Sequence, residues 1–303
     1  MIKAQNLKKQ YGNLIAVNDV SFEVGKGQTF GLLGPNGAGK TTTIKLLCGL
    51  VKPDSGSVSL NDKTDPTLMD VRRSLGVVPQ ALAIYEELSA EENLRFFGRI
   101  YELSGRKLNE RIEKCLEIAG LLKRRKEKIS KYSGGMKRRL NMVCSFLHEP
   151  SMLLLDEPTV GVDPQSRNLI FDTIEAIKKE GRTIIYTTHY MEEAQRLCDS
   201  VAILDHGKIL DMDSVENLIA KHGGASHIEA ELEEKLSDIE KIKAFVDDKD
   251  IQFEKNVIRF KSSQPMESLA KLNSSGFRFH SIKVQTTDLE DVFLNLTGRR
   301  LRD

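Results

Sequence analysis

The sequence predicts an α/β protein with a mostly parallel β-sheet, a helical insertion and a small C-terminal α+β unit. Three observations support this fold class. Short apolar segments alternate with amphipathic ones in two parts of the chain, the stretch between them has only helical periodicity, and the pattern breaks at His222–Ala225. Strands that alternate with helices favour a parallel sheet covered on both faces.

The first part of the chain carries strand patterns followed by one helix. Ile2–Leu7 and Val17–Val24 have short β-like patterns, and Thr29–Leu33 predicts a buried strand that runs into a glycine-rich turn. A helix is predicted at Thr41–Leu50. Residues 81–149 then carry apolar positions at helical spacing and no strand pattern, which predicts a helical subdomain.

After Pro150 the alternation resumes. The predicted elements are, in order, the strand Met152–Leu155, the helix Gln165–Lys179, the strand Thr183–Thr187, the helix Met191–Cys198 and the strand Val201–Asp205. Beyond the break the predicted pattern is alternation at Ile228, Ala230 and Leu232, a helix at Glu234–Val246, a strand at Val257–Phe260, a helix near Met266–Leu272 and alternation from Phe277 to Val284. We therefore predict two domains, residues 1–222 and residues 223–303.

Composition narrows the class of protein. The 303 residues include 45 Lys and Arg against 44 Asp and Glu, a net charge of +1, so overall charge offers no reason to expect nucleic acid as a partner. The four cysteines are far apart and form no CxxC pair, which indicates reduced thiols rather than a metal site. No apolar run approaches the roughly 20 residues of a membrane span. Any membrane role would be performed from outside the bilayer.

Residues 34–41 read GPNGAGKT and match the phosphate-binding motif G-x-x-x-x-G-K-[ST]. Glycines let backbone N–H groups converge on phosphate oxygens, and the helix N-terminus adds partial positive charge. Lys40 is expected to bridge the β- and γ-phosphates, and the Thr41 hydroxyl to bind Mg²⁺. The candidate nucleotide-binding residues here are Gly34, Pro35, Asn36, Gly37, Ala38, Gly39, Lys40, Thr41 and Thr42.

Acidic residues and a histidine follow two other predicted strands. Asp156 ends the apolar strand in LLLDEP and suits Mg²⁺ binding, while Glu157 is the candidate general base for an attacking water. His189 comes two residues after the predicted strand Thr183–Thr187, and ligands gather at the strand ends of parallel sheets. We expect His189 to sense the γ-phosphate and to orient Glu157.

These motifs, in this order, resemble the ATP-binding-cassette (ABC) ATPase family over about residues 2–220. Tyr132–Met136 (YSGGM) is similar to the family signature, although it departs from the common form at both ends. Gln80 in VVPQ matches the Q-loop, and Asp163 after LLLDEPTVG the D-loop. His189 matches the switch histidine, and Tyr11 resembles the aromatic residue that stacks on adenine.

The resemblance implies a P-loop NTPase core with an antiparallel N-terminal β subdomain, and ATP and Mg²⁺ as cofactors. The implied catalytic residues are Glu157, His189, Gln80 and Lys40; the implied metal ligands are Thr41, Gln80 and Asp156; and Tyr11, Ser133, Gly134, Gly135 and Asp163 join the nucleotide site. Ser133 and Gly135 would contact the γ-phosphate held by a second subunit.

The resemblance also implies partners and a location. YSGGM followed by KRR, and the C-terminal segment from Thr287 to Gly298, resemble the drug-resistance exporter branch. Its ATPases act as homodimers, or paired with a similar ATPase, on separate ABC-2 type permeases at the cytoplasmic face of the cell membrane. A geometric argument also favours a dimer. If Gly135–His148 is one helix, about 21 Å long, we expect it to hold its glycine turn well away from Asp156.

Three alternatives compete with this interpretation. An importer ATPase would carry the same motifs. A soluble ABC ATPase acting on ribosomes or DNA would be expected to have two cassettes, a coiled-coil insertion or paired cysteines, which this sequence lacks. A catalytically inactive cassette is disfavoured because Lys40, Asp156, Glu157 and His189 are all present.

Overall fold

The computed structural model describes residues 1–233, residue 242 and residues 251–299. The chain divides into two compact units, the first formed by Met1–Val215 and the second beginning at Glu216. The strands of the first unit are β1 Ile2–Tyr11, β2 Leu14–Val24, β3 Thr29–Leu33, β4 Ser55–Leu60, β5 Leu75–Val78, β6 Met152–Asp156, β7 Thr183–Thr188, β8 Ser200–Asp205 and β9 Lys208–Asp213. Its helices are α1 Lys40–Leu47, α2 Met69–Arg73, α3 Ala90–Ile100, α4 Gly105–Ile118, α5 Gly134–Phe146, α6 Pro164–Lys179 and α7 Met191–Leu197.

The central sheet of the first unit has six strands in the order β5-β6-β7-β3-β8-β9. All neighbours are parallel except β8 and β9, which form an antiparallel edge. Strands β3, β6 and β7 are buried at every position, as expected for apolar strands in the middle of a parallel sheet. Their register aligns Leu33 with Thr188 and Asp156 with Thr187, so the three strands end at one edge of the sheet.

A second, antiparallel sheet of the first unit has the order β2-β1-β4. Its apolar face and one face of the central sheet form a continuous core, which includes Ile2, Leu7, Phe22, Phe30 and Leu32. The rings of Phe22 and Phe30 stack with centroids 5.0 Å apart and so join the two sheets. This packing anchors the N-terminal sheet beside the strand that leads into the glycine-rich loop.

Between β5 and β6 the chain is helical. Helices α3, α4 and α5 occupy this segment, with two short 3₁₀ turns before α5. Ser89 begins α3 with a capping box, in which its hydroxyl accepts from the Glu92 N–H and the Glu92 carboxylate accepts from the Ser89 N–H. Leu94, Leu108, Ile112 and Leu140 are buried where these helices pack together. The predicted helical insertion is therefore present.

The second unit is an α+β structure built on an antiparallel sheet. Its strands are β10 Ser226–Leu232, β11 Gln252–Glu254, β12 Val257–Ser262 and β13 Phe279–Gln285, in the order β11-β12-β10-β13. The helices with described bounds in this unit are α8 Val215–His222, α9 Pro265–Ser274 and α10 Leu289–Thr297. Alternate residues of β10 and β12 pack with Leu269 and Leu272 of α9 in a separate small core.

The fold class predicted from the sequence is confirmed, with differences in detail. Strand β1 runs to Tyr11 rather than to Leu7, and α1 begins at Lys40 and ends at Leu47. The sequence did not predict α2, α8, β4, β5, β9 or β11. The predicted helix at Glu234–Val246 lies outside the described residues, apart from residue 242. Within the described ranges no helix could span a lipid bilayer, because none joins the required length to a sufficiently apolar stretch.

Candidate active site

The glycine-rich loop connects β3 to α1 and is closely packed on two sides. A Cβ atom at Gly34 would lie 2.2 Å from the Leu204 carbonyl oxygen, and one at Gly39 would lie 2.4 Å from the Ala16 carbonyl oxygen. Gly39 also has a φ of 107°, which side chains rarely permit. Gly37 is exposed with open space around it. The loop is therefore held by backbone contacts from β8 and β2 while its tip stays open.

Lys40 is the first residue of α1, and its side chain lies inside the loop. The ammonium group donates to the carbonyl oxygens of Gly34 at 2.7 Å and Pro35 at 3.0 Å. It also pairs with the Glu157 carboxylate at 3.0 Å, and both side chains are only 4% exposed. A buried charge needs compensation of this kind. The lysine therefore connects the loop to the acidic end of β6.

Asp156, the last residue of β6, accepts two hydroxyl hydrogen bonds. Its Oδ1 atom accepts from the Thr41 hydroxyl at 3.2 Å and from the Thr187 hydroxyl at 2.7 Å. Thr187 was not identified from the sequence. The hydroxyl of Thr41 and the carboxylate of Asp156 are hard oxygen donors, and they lie side by side. This donor set suits Mg²⁺.

Glu157 lies at the centre of the site and has an unusual backbone. Its φ of 45° is in the left-handed region, and its N–H donates to the backbone oxygen and the hydroxyl of Thr187. Gln80 Nε2 donates to its Oε2 atom at 2.9 Å, and His189 Nδ1 lies 3.3 Å from its Oε1 atom. Lys40, Gln80 and His189 thus all meet at this one carboxylate.

Two opposing effects set the pKa of the Glu157 carboxyl. Burial raises it, whereas the charge of Lys40 and the hydrogen bonds from Lys40 and His189 lower it, and the net result is a pKa below its ordinary value. The carboxylate is therefore ionised at neutral pH, as a general base must be.

Tyr11 lies at the end of β1, next to the hairpin that leads into β2. Its ring is 45% exposed, and the ammonium of Lys9 lies 5.7 Å from the ring centroid. The same hairpin leads to Ala16, whose carbonyl faces Gly39 in the glycine-rich loop. An aromatic surface is therefore available on the sheet that packs against the loop.

The SGG turn starts α5 and packs against the start of α6. Ser133 caps α5, and its hydroxyl accepts from the Met136 N–H at 3.3 Å. Ser133 and Gly134 are exposed, whereas Gly135 is buried with Ser166 so close that a Cβ would meet its hydroxyl at 2.1 Å. Asp163 caps α6 by accepting from the Ser166 N–H at 2.9 Å. The signature-like turn and Asp163 therefore lie together.

Helix length alone does not fix the distance between this turn and Asp156, so the separation expected from the sequence stays a prediction. Helix α5 packs beside β5, and its residue Arg138 reaches the end of β6. The Arg138 guanidinium donates to the carbonyl oxygens of Pro158, Glu157 and Gln80. The first turns of α5 thus return to the same edge of the sheet as Asp156. Arg138 is a site-forming residue that the sequence did not indicate, because it lies within a KRR run that is typical of a solvated surface.

A glycine-rich loop between a buried strand and a helix, with its lysine paired to a buried acid, defines a P-loop nucleotide hydrolase. Comparison with known proteins gives the family. The family model described as "ABC transporter" matches residues 17–160. The linearmycin resistance ATP-binding protein LnrL of Bacillus subtilis (strain 168) is 40% identical over 312 residues, which cover 100% of both chains. This chain belongs to the ABC transporter family, and it is an ATPase.

Two further comparisons agree. The Nod factor export ATP-binding protein I of Burkholderia lata is 37% identical over 303 residues, which cover 100% of this chain and 98% of that protein. A solved structure described as the ATP-binding subunit of an ABC transporter is 32% identical, with a TM-score of 0.66, and the match covers 74% of this chain and 93% of that one. The family and the activity predicted from the sequence are thereby confirmed. The individual residue roles stay predictions.

Proposed function

We propose that this chain powers export through a separate integral-membrane permease of the ABC-2 type, as a peripheral subunit at the cytoplasmic face of the cell membrane. The similar proteins from Bacillus and Burkholderia are named for linearmycin resistance and for Nod factor export, which supports the outward direction. A drug, antibiotic or lipid-like molecule is the proposed cargo. In this proposal residues 1–222 form the ATPase domain, with residues 81–149 as its helical subdomain, and residues 223–303 form an accessory domain.

The observation that supports ATP hydrolysis as the energy source of this export is the convergence of Lys40, Gln80 and His189 on the buried Glu157 carboxylate. When nucleotide binds, Lys40 would exchange this carboxylate for β- and γ-phosphate oxygens. Glu157 would then lose its nearest cation and become a stronger base for the attacking water. His189 would hold the carboxylate and the γ-phosphate in place.

The remaining site residues have proposed roles in binding. Tyr11 would stack on adenine, and the loop from Gly34 to Thr42 would hold the phosphates. Thr41, Asp156 and Gln80 would hold Mg²⁺, which would neutralise charge on the phosphates. Each of these residues lies on a strand end, in a loop or in the first turn of α1 in the first unit.

The exposed turn of Ser133 and Gly134 supports a dimer. A helix N-terminus with a serine and glycines is a ready anion-binding site. In the proposed dimer, formed by two copies or by this chain and a similar ATPase, Ser133, Gly134, Gly135 and Asp163 of one subunit close on the γ-phosphate bound by the other. ATP binding then favours the closed dimer, and hydrolysis removes that preference.

The substitution Glu157→Gln tests the proposed hydrolysis step and the proposed ATP-bound dimer. It keeps the shape of the side chain and removes the base, so we expect ATP turnover to fall at least about a hundredfold while an ATP-bound dimer accumulates. Phosphate release and size-exclusion chromatography with light scattering measure the two effects. Glu175→Gln is the matched control, because Glu175 pairs with Arg196 on the surface. Turnover at the wild-type rate in Glu157→Gln would show that the general-base role is wrong.

An exposed aromatic cluster on the helical subdomain is the proposed permease contact. The rings of Tyr85, Phe96 and Phe97 pack against one another, with centroids 5.0 to 6.3 Å apart; Phe96 meets the other two edge to face. Tyr85 is 51% and Phe96 40% exposed, and the cluster follows Gln80 closely in the chain. Exposed apolar clusters of this kind mark interaction sites. Docking here would act on the segment that carries Gln80.

The variant Phe96→Ser tests this contact. We expect a photocrosslinker at position 96 to capture a polytopic membrane protein in intact cells, and Phe96→Ser to reduce recovery of that protein with the ATPase. Met266→Ser is the control, since Met266 is also a large apolar residue and is 74% exposed on the second unit. Equal recovery with both variants would rule out the cluster as the contact.

A further inference from the structure

A buried carboxylate on α7 lies next to the chain segments that carry Glu157 and His189. Glu193 is 2% exposed and accepts three hydrogen bonds from hydroxyl groups. Thr159 donates to its Oε1 atom at 2.7 Å, while Tyr186 at 2.8 Å and Thr188 at 2.7 Å donate to its Oε2 atom. Both carboxylate oxygens therefore accept from hydroxyl groups, whereas the amide of a Gln side chain has only one acceptor oxygen.

Two of these hydroxyl groups belong to the chain segments that carry the proposed catalytic pair. Thr159 lies two residues after Glu157, in the turn where the Val160 N–H donates to the Glu157 carbonyl oxygen. Thr188 immediately precedes His189, and its hydroxyl also accepts from the Tyr190 N–H at 2.9 Å. Glu193 therefore holds both turns through a single side chain.

A positive charge also faces Glu193, at a greater distance than the three hydroxyl groups. Arg167 Nε on α6 lies 3.9 Å from its Oε1 atom, and the guanidinium carbon lies 5.0 Å from the Tyr190 ring centroid. Burial, and after it the charge of Glu193, raise the pKa of the Tyr186 phenol, so that phenol stays protonated and can donate. Replacement by Gln would place an N–H donor against at least one hydroxyl donor.

We propose that Glu193 is a positioning residue for hydrolysis, which fixes the Glu157 turn relative to the His189 turn. The inference rests on the proposed roles of Glu157 and His189. It assigns Glu193 no contact with ATP. Its effect passes through the hydroxyl groups of Thr159 and Thr188 to two backbone turns. Misplacing a reacting group by about 1 Å can cost about a hundredfold in rate, so small shifts of these turns suffice.

Thr188 offers the sharpest test, since Val has the shape of Thr without the hydroxyl and Ser retains the hydroxyl. In the full-length protein we expect Thr188→Val to lower kcat for ATP by about tenfold or more, with KM changed less than about threefold. Thr188→Ser should keep kcat within about threefold of wild type. Glu193→Gln should also lower kcat. Adding Thr188→Val to Glu193→Gln should lower kcat little further, because Thr188 and Glu193 act through the same hydrogen bond.

Thr173→Val is the control for the loss of a buried hydroxyl, because among the described residues the Thr173 hydroxyl donates only to the Leu169 carbonyl oxygen, within α6. It should lower melting temperature without the kcat loss. Wild-type kcat in Thr188→Val, equal loss in Thr188→Ser, or additive effects with Glu193→Gln would each overturn the inference. If Glu193→Gln does not fold, Thr188→Val and Thr188→Ser still decide. An active Glu157→Gln variant would instead refute the proposed general-base role of Glu157. An inactive Glu157→Gln variant together with an unaffected Thr188→Val variant would refute only the positioning role of Glu193.

Discussion

Replacing Lys40 with Met removes the cation that faces Glu157 and leaves a buried carboxyl group without its partner. The two charged atoms are 3.0 Å apart and both side chains are 4% exposed. Removing one member of such a pair costs about 3–5 kcal/mol. The carboxyl can be protonated instead. The free-energy cost of protonation is about 1.4 kcal/mol for each pH unit above its ordinary pKa of about 4.3, or about 3.7 kcal/mol at pH 7. We therefore expect Lys40→Met to lower the free energy of unfolding by about 3–4 kcal/mol at pH 7.

This loss should depend on pH with a definite sign. In the wild type the folded pKa of Glu157 is lowered, so its stabilising contribution is present above the unfolded pKa and is lost as pH falls through the folded value. In Lys40→Met the folded pKa is raised, so the penalty grows as pH rises above the unfolded value. At pH 5.5 it should be only about 1.6 kcal/mol.

Urea unfolding without nucleotide, followed by far-ultraviolet circular dichroism because the chain has no Trp, measures the difference. The double variant Lys40→Met with Glu157→Gln is the control, and it should recover most of the stability because an amide needs no cation. A loss that is the same at both pH values, or a double variant as unstable as Lys40→Met, would refute the reasoning.

Two further predictions concern close packing and acid stability. Gly34→Ala places a Cβ 2.2 Å from the Leu204 carbonyl oxygen, so we expect it to abolish binding of a fluorescent ATP analogue, whereas Gly181→Ala, in open space, should bind normally. Burial lowers the pKa of His148 to about 4, so folding loses up to about 3 kcal/mol as pH falls from about 6.5 towards 4. His148→Phe keeps a ring against Tyr101 and should reduce the fall in melting temperature between pH 7 and 5; equal falls in both proteins would contradict this.

Local patterns in the sequence were sufficient to predict the central strands and to single out several side chains that the structure brings together at their ends. Thr29–Leu33 and Met152–Asp156 are runs of residues buried at every position, and such runs identify central strands without knowledge of their neighbours. The meeting of Lys40, Glu157 and His189 also follows from sequence, since parallel strands end at one edge of a sheet. By contrast, β4 has the sequence SGSVSL, which carries few apolar residues and was missed.

Other features depend on how distant segments return to each other. Arg138 is surrounded by basic residues and Glu193 follows another glutamate, so both look like solvated surface in the sequence. Their burial results from α5 and α7 packing beside the strand ends, which no local pattern reveals. The direction of α5 is likewise hidden from local sequence patterns, because helix length alone does not say which end of the helix lies beside β6.

The left-handed backbone at Glu157 has a consequence for protein engineering. A residue with a Cβ in this conformation costs roughly 1–2 kcal/mol, and Asn tolerates it better than Glu. Relieving this strain by losing the carboxylate alone would leave the Lys40 ammonium buried without its partner, at a cost of about 3–5 kcal/mol, so directed evolution for heat resistance alone would favour replacing Lys40 and Glu157 together. A library screened for thermal stability should also be assayed for phosphate release in the same wells, because its most stable variants will otherwise include inactive ones.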